Sequence, residues 1–358
     1  MTPGAAVGPD GSPAAPGIVW RRQVVAWGFS WRKRALVRAF TGLANIRFGA
    51  IPPGAGADTD LLLWGSSPVP AGVSAAVRVV RLEDGFLRSV GLGADLVRPA
   101  SWVLDTRGIY YDARTPSDLE LLLQNAEFGA QLLGRARALR QQIVQAGLSK
   151  YNLGGAAWRR PDTARPVLLV IGQVETDESI ATGTLDIRSN MALLRCVRQA
   201  RPDAWLVYKP HPDVEAGLRG PGSGESSAAQ WADEVLAGGA VAQIMPLVDE
   251  VHVMTSLAGF EALLRAKPVF CYGQPFYAGW GLTHDRHPHA RRSRRLDLDA
   301  LVAAALLLYP VYVGATTRKP CPPEQALQEL VALRDARAGA GGQVAWWRRM
   351  VRPLLSRP

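Results

Sequence analysis

The chain has 358 residues, 48% of them hydrophobic and 20% charged, with a net charge of +10. This composition suits two domains of ordinary size and excludes a disordered chain. Three widely spaced cysteines (Cys196, Cys271, Cys321) exclude a disulfide framework and a CxxC metal pair, which points to a reducing cytoplasm.

Residues 1–16 are Gly, Pro and Ala with a single acid and are expected to be a disordered tail, with no apolar signal sequence. In Trp20–Phe40, a helical register puts Trp20, Val24, Trp27, Trp31 and Ala35 on one face, with Arg21, Arg22, Arg32, Lys33, Arg34 and Arg38 on the flanks. Such a stripe suits an interfacial helix on anionic lipid, or a helix packed on a neighbouring domain. Residues 17–57 are therefore expected to be a basic amphipathic, membrane-associating segment. The tail Trp346–Arg352 has the same chemistry. No apolar run is long enough to span a bilayer; Leu301–Leu308 is among the longest.

From Asp60 onward, apolar runs suited to buried parallel strands alternate with helical patterns. Strands are expected at Leu61–Trp64 and Val77–Leu82. A helix starts at the Ser117/Glu120 capping box, and another spans Gln131–Ala146 and stops at Gly147. A second series has strands at Val167–Ile171, Trp205–Tyr208, Ala242–Met245, Glu250–Met254 and Pro268–Tyr272. Its helices are expected at Asn190–Ala200 and Leu257–Arg265. The fold class is α/β, two Rossmann-like domains facing across a cleft, at residues 58–153 and 167–315. Residues 154–166 are the expected linker, and 316–358 C-terminal helices with a basic tail.

Ligands of such sheets bind beyond the carboxyl ends of the strands, and polar clusters follow several of these strands. They are Glu83–Ser89, Gly172–Ser179, Lys209–Asp213 and Thr255–Glu261, with a Gly- and aromatic-rich loop at Tyr272–Gly281. Glu175, Asp177 and Glu178 crowd three carboxylates into four residues, either a site holding a nucleophile or general base or a solvated loop meeting arginines. Thr255-Ser256 is either an anion site at a helix start or an ordinary cap. Lys209 and His211 are placed to reach the same phosphate or a substrate carboxylate, and Glu261, one turn into the helix, to accept from ribose hydroxyls. His252 has the setting of a satisfied core histidine. His284, His287 and His289 lack zinc-site spacing and are expected to face solvent or an acceptor. Asp58-Thr59-Asp60 and Asp297-Leu298-Asp299 are turn and cap chemistry. The arginine clusters lack a recognition helix or stacking sheet, so no nucleic-acid partner is expected.

The phrases RLEDGFLRSVGLGADL, GIYYDARTPSDLE, LSKYNLG, GQVETDESI, VYKPHPDV, DEVHVMTSLAGFEALL and YGQPFYAGWGLT resemble, in this order, the capsular polysaccharide β-Kdo transferases of the KpsC type. The resemblance implies a GT-B-like fold with CMP-Kdo in the second domain and the acceptor facing the first. It further implies a retaining, metal-independent reaction with no cofactor, extending Kdo on a lipid-linked Kdo acceptor. Asp177 falls on the family's nucleophile. Gln173, Lys209, His211, Thr255, Ser256 and Glu261 fall on the donor side, and Glu83 and His211 among the catalytic groups. Arg88, Glu175 and Tyr277 fall on the side of the acceptor or the Kdo carboxylate. Members are implied to carry two such modules, of which this chain shows one, more like the second. Implied partners are the inner-membrane surface and the capsule assembly and export proteins, for a cytoplasmic, peripheral location. The competing expectation is a non-catalytic sugar-nucleotide-binding scaffold of the same assembly.

Overall fold

Short apolar runs closed by turn residues build two six-stranded sheets in the computed structural model, which describes residues 18–89, 98–148, 158–236 and 238–339. The expected N-terminal tail, the Trp346–Arg352 segment, most of LSKYNLG and part of the linker lie outside the described residues.

The first sheet begins with β1 (Gln23–Ala26), followed by α1 (Trp31–Thr41), β2 (Arg47–Phe48), β3 (Thr59–Trp64), β4 (Arg78–Asp84) and β5 (Ser101–Asp105). α2 (Asp118–Asn125) and α3 (Ala130–Gln145) follow. Ser117 caps α2 by accepting from the Glu120 amide at 3.1 Å, one half of the expected capping box, while the Glu120 carboxylate goes to Arg291 and Arg292.

The second sheet is made by β6 (Val167–Ile171), β7 (Trp205–Lys209), β8 (Glu234–Val235), β9 (Glu250–Val253), β10 (Val269–Cys271) and β11 (His284–Asp285). Its helices are α4 (Glu178–Gly183), α5 (Asn190–Ala200), α6 (Pro212–Glu215), α7 (Val241–Ile244) and α8 (Leu257–Leu264). Its order is β11-β10-β9-β6-β7-β8, all parallel. All five β6 residues, Val-Leu-Leu-Val-Ile, are buried. Burial at roughly 1.5–3 kcal/mol for each large apolar side chain makes this central strand a main anchor of the core.

After α9 (Leu298–Val302) and a π-helical turn at Ala303–Leu308, β12 (Pro310–Tyr312) returns to the first sheet and pairs antiparallel with β5. That sheet has the order β12-β5-β4-β3-β1-β2. The last element is α10 (Pro323–Gly339). The second domain therefore does not run unbroken to 315. Tyr309 seals the return, its hydroxyl donating to buried Asp105 at 2.8 Å. Burial pushes the Asp105 carboxyl above its ordinary pKa, while the Gly108 and Arg107 amides and the Tyr309 hydroxyl oppose the shift.

Three expectations are corrected. Trp20–Phe40 is not one helix: Val24, Val25 and Ala26 are buried in β1 between β2 and β3, and α1 starts only after Gly28, at φ +76°. A 4-3-4-4 spacing of apolar residues also fits a buried strand joined to a helix. Residues 17–57 therefore include part of the first domain. Ala242–Met245 is mostly helical, as α7. His289 is buried, facing the Ala113 carbonyl and Glu120, and does not face solvent.

His252, on β9, is the satisfied core histidine expected: Nδ1 lies 3.2 Å from the Tyr272 hydroxyl and Nε2 3.2 Å from Glu250. Its ring stacks on Phe270, which stacks in turn on His284. Burial holds its pKa below the ordinary 6.5, against the pull of Glu250. A lowered pKa favours the neutral native ring, so this stabilisation is complete above pH 6.5 and is lost as pH falls through the folded value. The melting temperature is expected to drop on acidification below pH 6.5, and His252→Gln to flatten that limb of the profile.

Candidate active site

In the second sheet β6 lies between β9 and β7, so the chain reverses direction at the β6–β9 boundary, where doubly wound folds open a crevice. The loops after β6 and β9 meet there. Gln173 ties them together: its Oε1 accepts from the Thr255 amide at 2.8 Å and its Nε2 donates to Thr255 Oγ1 at 3.1 Å. Asn190 holds the Gln173 backbone from the other side, with both bonds at 2.9 Å.

Asp177 caps α4, its Oδ1 accepting from the Ser179 amide at 2.8 Å, and remains exposed at the crevice. Ser256 caps α8, its Oγ accepting from the Ala258 amide at 3.2 Å. Thr255 Oγ1 lies 3.2 Å from Ser179 Oγ. Ordinary capping and phosphate readiness are thus compatible: the cap fixes a helix start whose amides face the crevice.

At the carboxyl end of β7, Lys209 is 2% exposed and its ammonium pairs with Glu215 at 2.5 Å. His211 caps α6 through Nδ1, which accepts from the Asp213 amide at 3.1 Å. An accepting Nδ1 puts the proton of the neutral ring on Nε2.

The opposite wall belongs to the first domain. Glu83 stands at the carboxyl end of β4, with Tyr110 and Tyr111 beside it. Burial, and next the Glu83 charge, push both phenols well above their ordinary pKa, so they stay protonated donors. Tyr111 also reaches across the domains, its carbonyl accepting from Thr182 Oγ1 at 3.2 Å.

Asp177, Glu83, His211, Gln173, Lys209, Thr255, Ser256 and Glu261 line one cleft of about 420 Å³. Three expected site residues do not. Glu175 turns away to accept from the Asn190 and Ser223 amides at 2.7 and 3.0 Å, anchoring α5. Arg88 pairs with Asp84 at 2.6 Å. Tyr277 is fully buried and its hydroxyl donates to the Ser256 carbonyl, a post beneath the start of α8. A Cβ at Gly259 would lie 2.2 Å from that hydroxyl. Gly259→Ala is expected to cost about 1–3 kcal/mol by overpacking, seen as a lower melting temperature.

Tyr110, Tyr111, Phe276 and Arg219 also line the cleft; the first three fall in the phrases GIYYDARTPSDLE and YGQPFYAGWGLT, but none of the four is among the expected site residues. The Tyr-Tyr pair in the loop between β5 and α2 is the available signal. Among the described residues, no group of three or more His, Cys, Asp or Glu side chains gathers as a metal site, and no helix is long and apolar enough to cross a membrane.

The chain matches the family described as "Capsule polysaccharide biosynthesis protein" over residues 59–153 and 135–314. It is 41% identical over 337 residues to the capsule polysaccharide modification protein LipA of Neisseria meningitidis serogroup A, covering 90% of this chain and 47% of LipA. The chain thus spans about half the length of that relative. It is 40% identical to the lipopolysaccharide-processing protein LpsZ of Rhizobium meliloti, over 87% of this chain and 72% of LpsZ. Two solved structures from Thermosulfurimonas dismutans KpsC superpose at TM-score 0.73. One, titled a beta Kdo 2,7 transferase, is 39% identical and is matched over 87% of this chain and 99% of its own. The other, titled a beta Kdo 2,4 transferase, is 31% identical, over 86% of this chain and 97% of its own.

Proposed function

The chain belongs to the capsule polysaccharide biosynthesis protein family, KpsC type, and from that premise we propose that it transfers Kdo from CMP-Kdo to a Kdo-primed lipid acceptor, with retention. The observation carrying this reading is the convergence of Asp177, Glu83, His211, Lys209 and Ser256 on one cleft between the two sheets.

In the first step an Asp177 carboxylate oxygen bonds to the anomeric carbon of Kdo. The bond from that carbon to the phosphate oxygen breaks, and CMP leaves with the electron pair. The carbon is a ketal centre, so its oxocarbenium-like transition state is stabilised by a close carboxylate. His211 donates from Nε2 to the leaving phosphate, beside the Lys209 ammonium and the first amides of α8. Glu261 accepts from the ribose hydroxyls. In the second step Glu83 takes the proton of the acceptor hydroxyl, whose oxygen displaces Asp177 from the anomeric carbon. The scheme uses protein donors alone for the leaving charge, and transfer is expected to persist in excess chelator.

The higher identity to the 2,7 transferase supports a 2,7 linkage. Incubation with CMP-Kdo and a Kdo-primed glycoside, read by mass spectrometry and by NMR of the product, tests donor, linkage and anomeric outcome together. CMP-Kdo binding without turnover would instead favour the scaffold role.

Location at the cytoplasmic membrane face, next to the assembly and export proteins, is part of the same proposal. Trp31 is 74% and Trp27 39% exposed, with Arg32 and Arg34 exposed on the same α1 turn as Trp31. These groups suit an anionic lipid surface. Trp31→Ala is expected to weaken cosedimentation with phosphatidylglycerol vesicles severalfold while transfer to a soluble acceptor stays intact.

A further inference from the structure

A second cavity, of about 380 Å³, opens on the first domain and is lined by Arg21, Arg78, Arg81, Arg107 and Asp105 among others. Four guanidiniums around one opening need an explanation, because like charges brought together cost stability unless something offsets them.

The acids near this cavity are already engaged. Fully buried Asp60 takes Arg78 Nε at 2.7 Å and the Arg21 amide at 2.9 Å. Asp118 takes Arg107 at 3.2 Å. Asp105 accepts from the Arg107 and Gly108 amides through Oδ1, and from the Asp118 amide and the Tyr309 hydroxyl through Oδ2. Arg81 is different. Its guanidinium donates to two carbonyls, Gly65 at 2.6 Å and Ser67 at 3.0 Å, and forms no ion pair among the described residues; Asp112, the acid that feels its charge, is paired with Arg114 at 2.7 Å. Carbonyls orient a guanidinium without neutralising it. Arg107 keeps 60% of its side chain exposed beside the opening.

Position adds the second argument. Arg81 and Glu83 are two apart on β4, so they share a face and stand about 7 Å apart along the strand. On the other side, Gly108 of this cavity is two residues before Tyr110 of the cleft. The basic cavity therefore lies beside the cleft, toward the amino end of β4, with Arg81 about 7 Å along the strand from Glu83.

We propose that this cavity is an anion subsite that holds a carboxylate or phosphate of the acceptor, with Arg81 and Arg107 as its specificity-determining residues. Planar guanidinium forks match either group in two-point hydrogen bonds. That the anion belongs to an acceptor rests on the transferase reading above; that the cavity takes an anion does not.

The test is the Arg81→Gln/Arg107→Gln pair in the full chain, with Arg81→Lys as the milder variant and melting curves to confirm folding. With a Kdo glycoside lacking phosphate and with a Kdo-primed phospholipid, the double variant is expected to raise the acceptor KM on the order of tenfold. Donor KM and kcat should hold, and Arg81→Lys should recover part of the loss. An effect on both acceptors identifies a carboxylate; an effect on the phospholipid alone identifies the phosphate. An unchanged acceptor KM for both overturns the proposal. Should the wild-type chain transfer nothing, the transferase reading fails by itself. Calorimetry with inorganic phosphate and with the methyl glycoside of Kdo then decides the subsite. Weaker binding to the double variant supports it, and equal binding overturns it.

Discussion

Asp177→Asn is expected to lower transfer by on the order of 10⁴-fold or more while leaving the melting temperature close to that of the wild type. The two halves of this expectation come from the two jobs of one side chain. Oδ1 caps α4, and asparagine caps nearly as well as aspartate, so the helix start survives. The carboxylate also faces the cleft as the proposed nucleophile, and an amide cannot form the glycosyl ester. Intact mass after mixing with CMP-Kdo should show a Kdo adduct on the wild type and none on the variant. Asp177→Ala is the poorer probe, since it also removes the cap at a cost of about 1 kcal/mol. Near-normal transfer by Asp177→Asn would remove double displacement from consideration and leave the cleft to another mechanism.

Arg292→Ala carries the largest expected stability loss, about 3–5 kcal/mol, or on the order of 10 °C in melting temperature. The Arg292 and Glu120 side chains are 3% and 8% exposed and meet at 3.1 Å across the domain boundary. Burial pushes the Arg292 guanidinium below its ordinary pKa and Glu120 pulls it back up. The same guanidinium donates to the Pro275 and Ala278 carbonyls. Removal strands those carbonyls and leaves a buried carboxylate with Arg291 at 2.6 Å and the His289 ring at 3.8 Å. Pro275 and Phe276 line the cleft, so activity should fall further than the unfolded fraction explains. Differential scanning calorimetry together with kcat/KM below the transition separates the two effects.

Much of this molecule was legible because buried parallel strands have an unambiguous pattern. Val167–Ile171 and Leu61–Trp64 are apolar throughout, and the loops that follow such strands are where chemistry collects. The Ser117 cap and the stop at Gly147, with φ +60°, are local signals that local structure obeyed. Trp20–Phe40 was misjudged because burial on both sides of β1 comes from partners far along the chain. Glu175 and Tyr277 share phrases with cleft-lining residues but satisfy backbone groups one layer back, a distinction that depends on where each side chain points. The second basic cavity has no contiguous phrase: Arg21 precedes β1, Arg81 sits in the middle of β4 and Arg107 follows β5. Arg292 and Glu120 illustrate the same limit, since neither residue type announces a buried partner in another domain.

The return of β12 to the first sheet also governs when that domain can be completed during synthesis. Tyr309 and Asp105 are 204 residues apart, so the strand edge at β5 waits for almost the whole second domain to emerge from the ribosome. Closing so long a loop costs only slightly more entropy than closing a medium one, but it postpones the contact. A nascent chain stopped near residue 153 would expose the β5 edge and leave the Asp105 carboxyl without its tyrosine donor. The second domain, whose strands all fall between 167 and 285, carries no such debt and is the part expected to fold first.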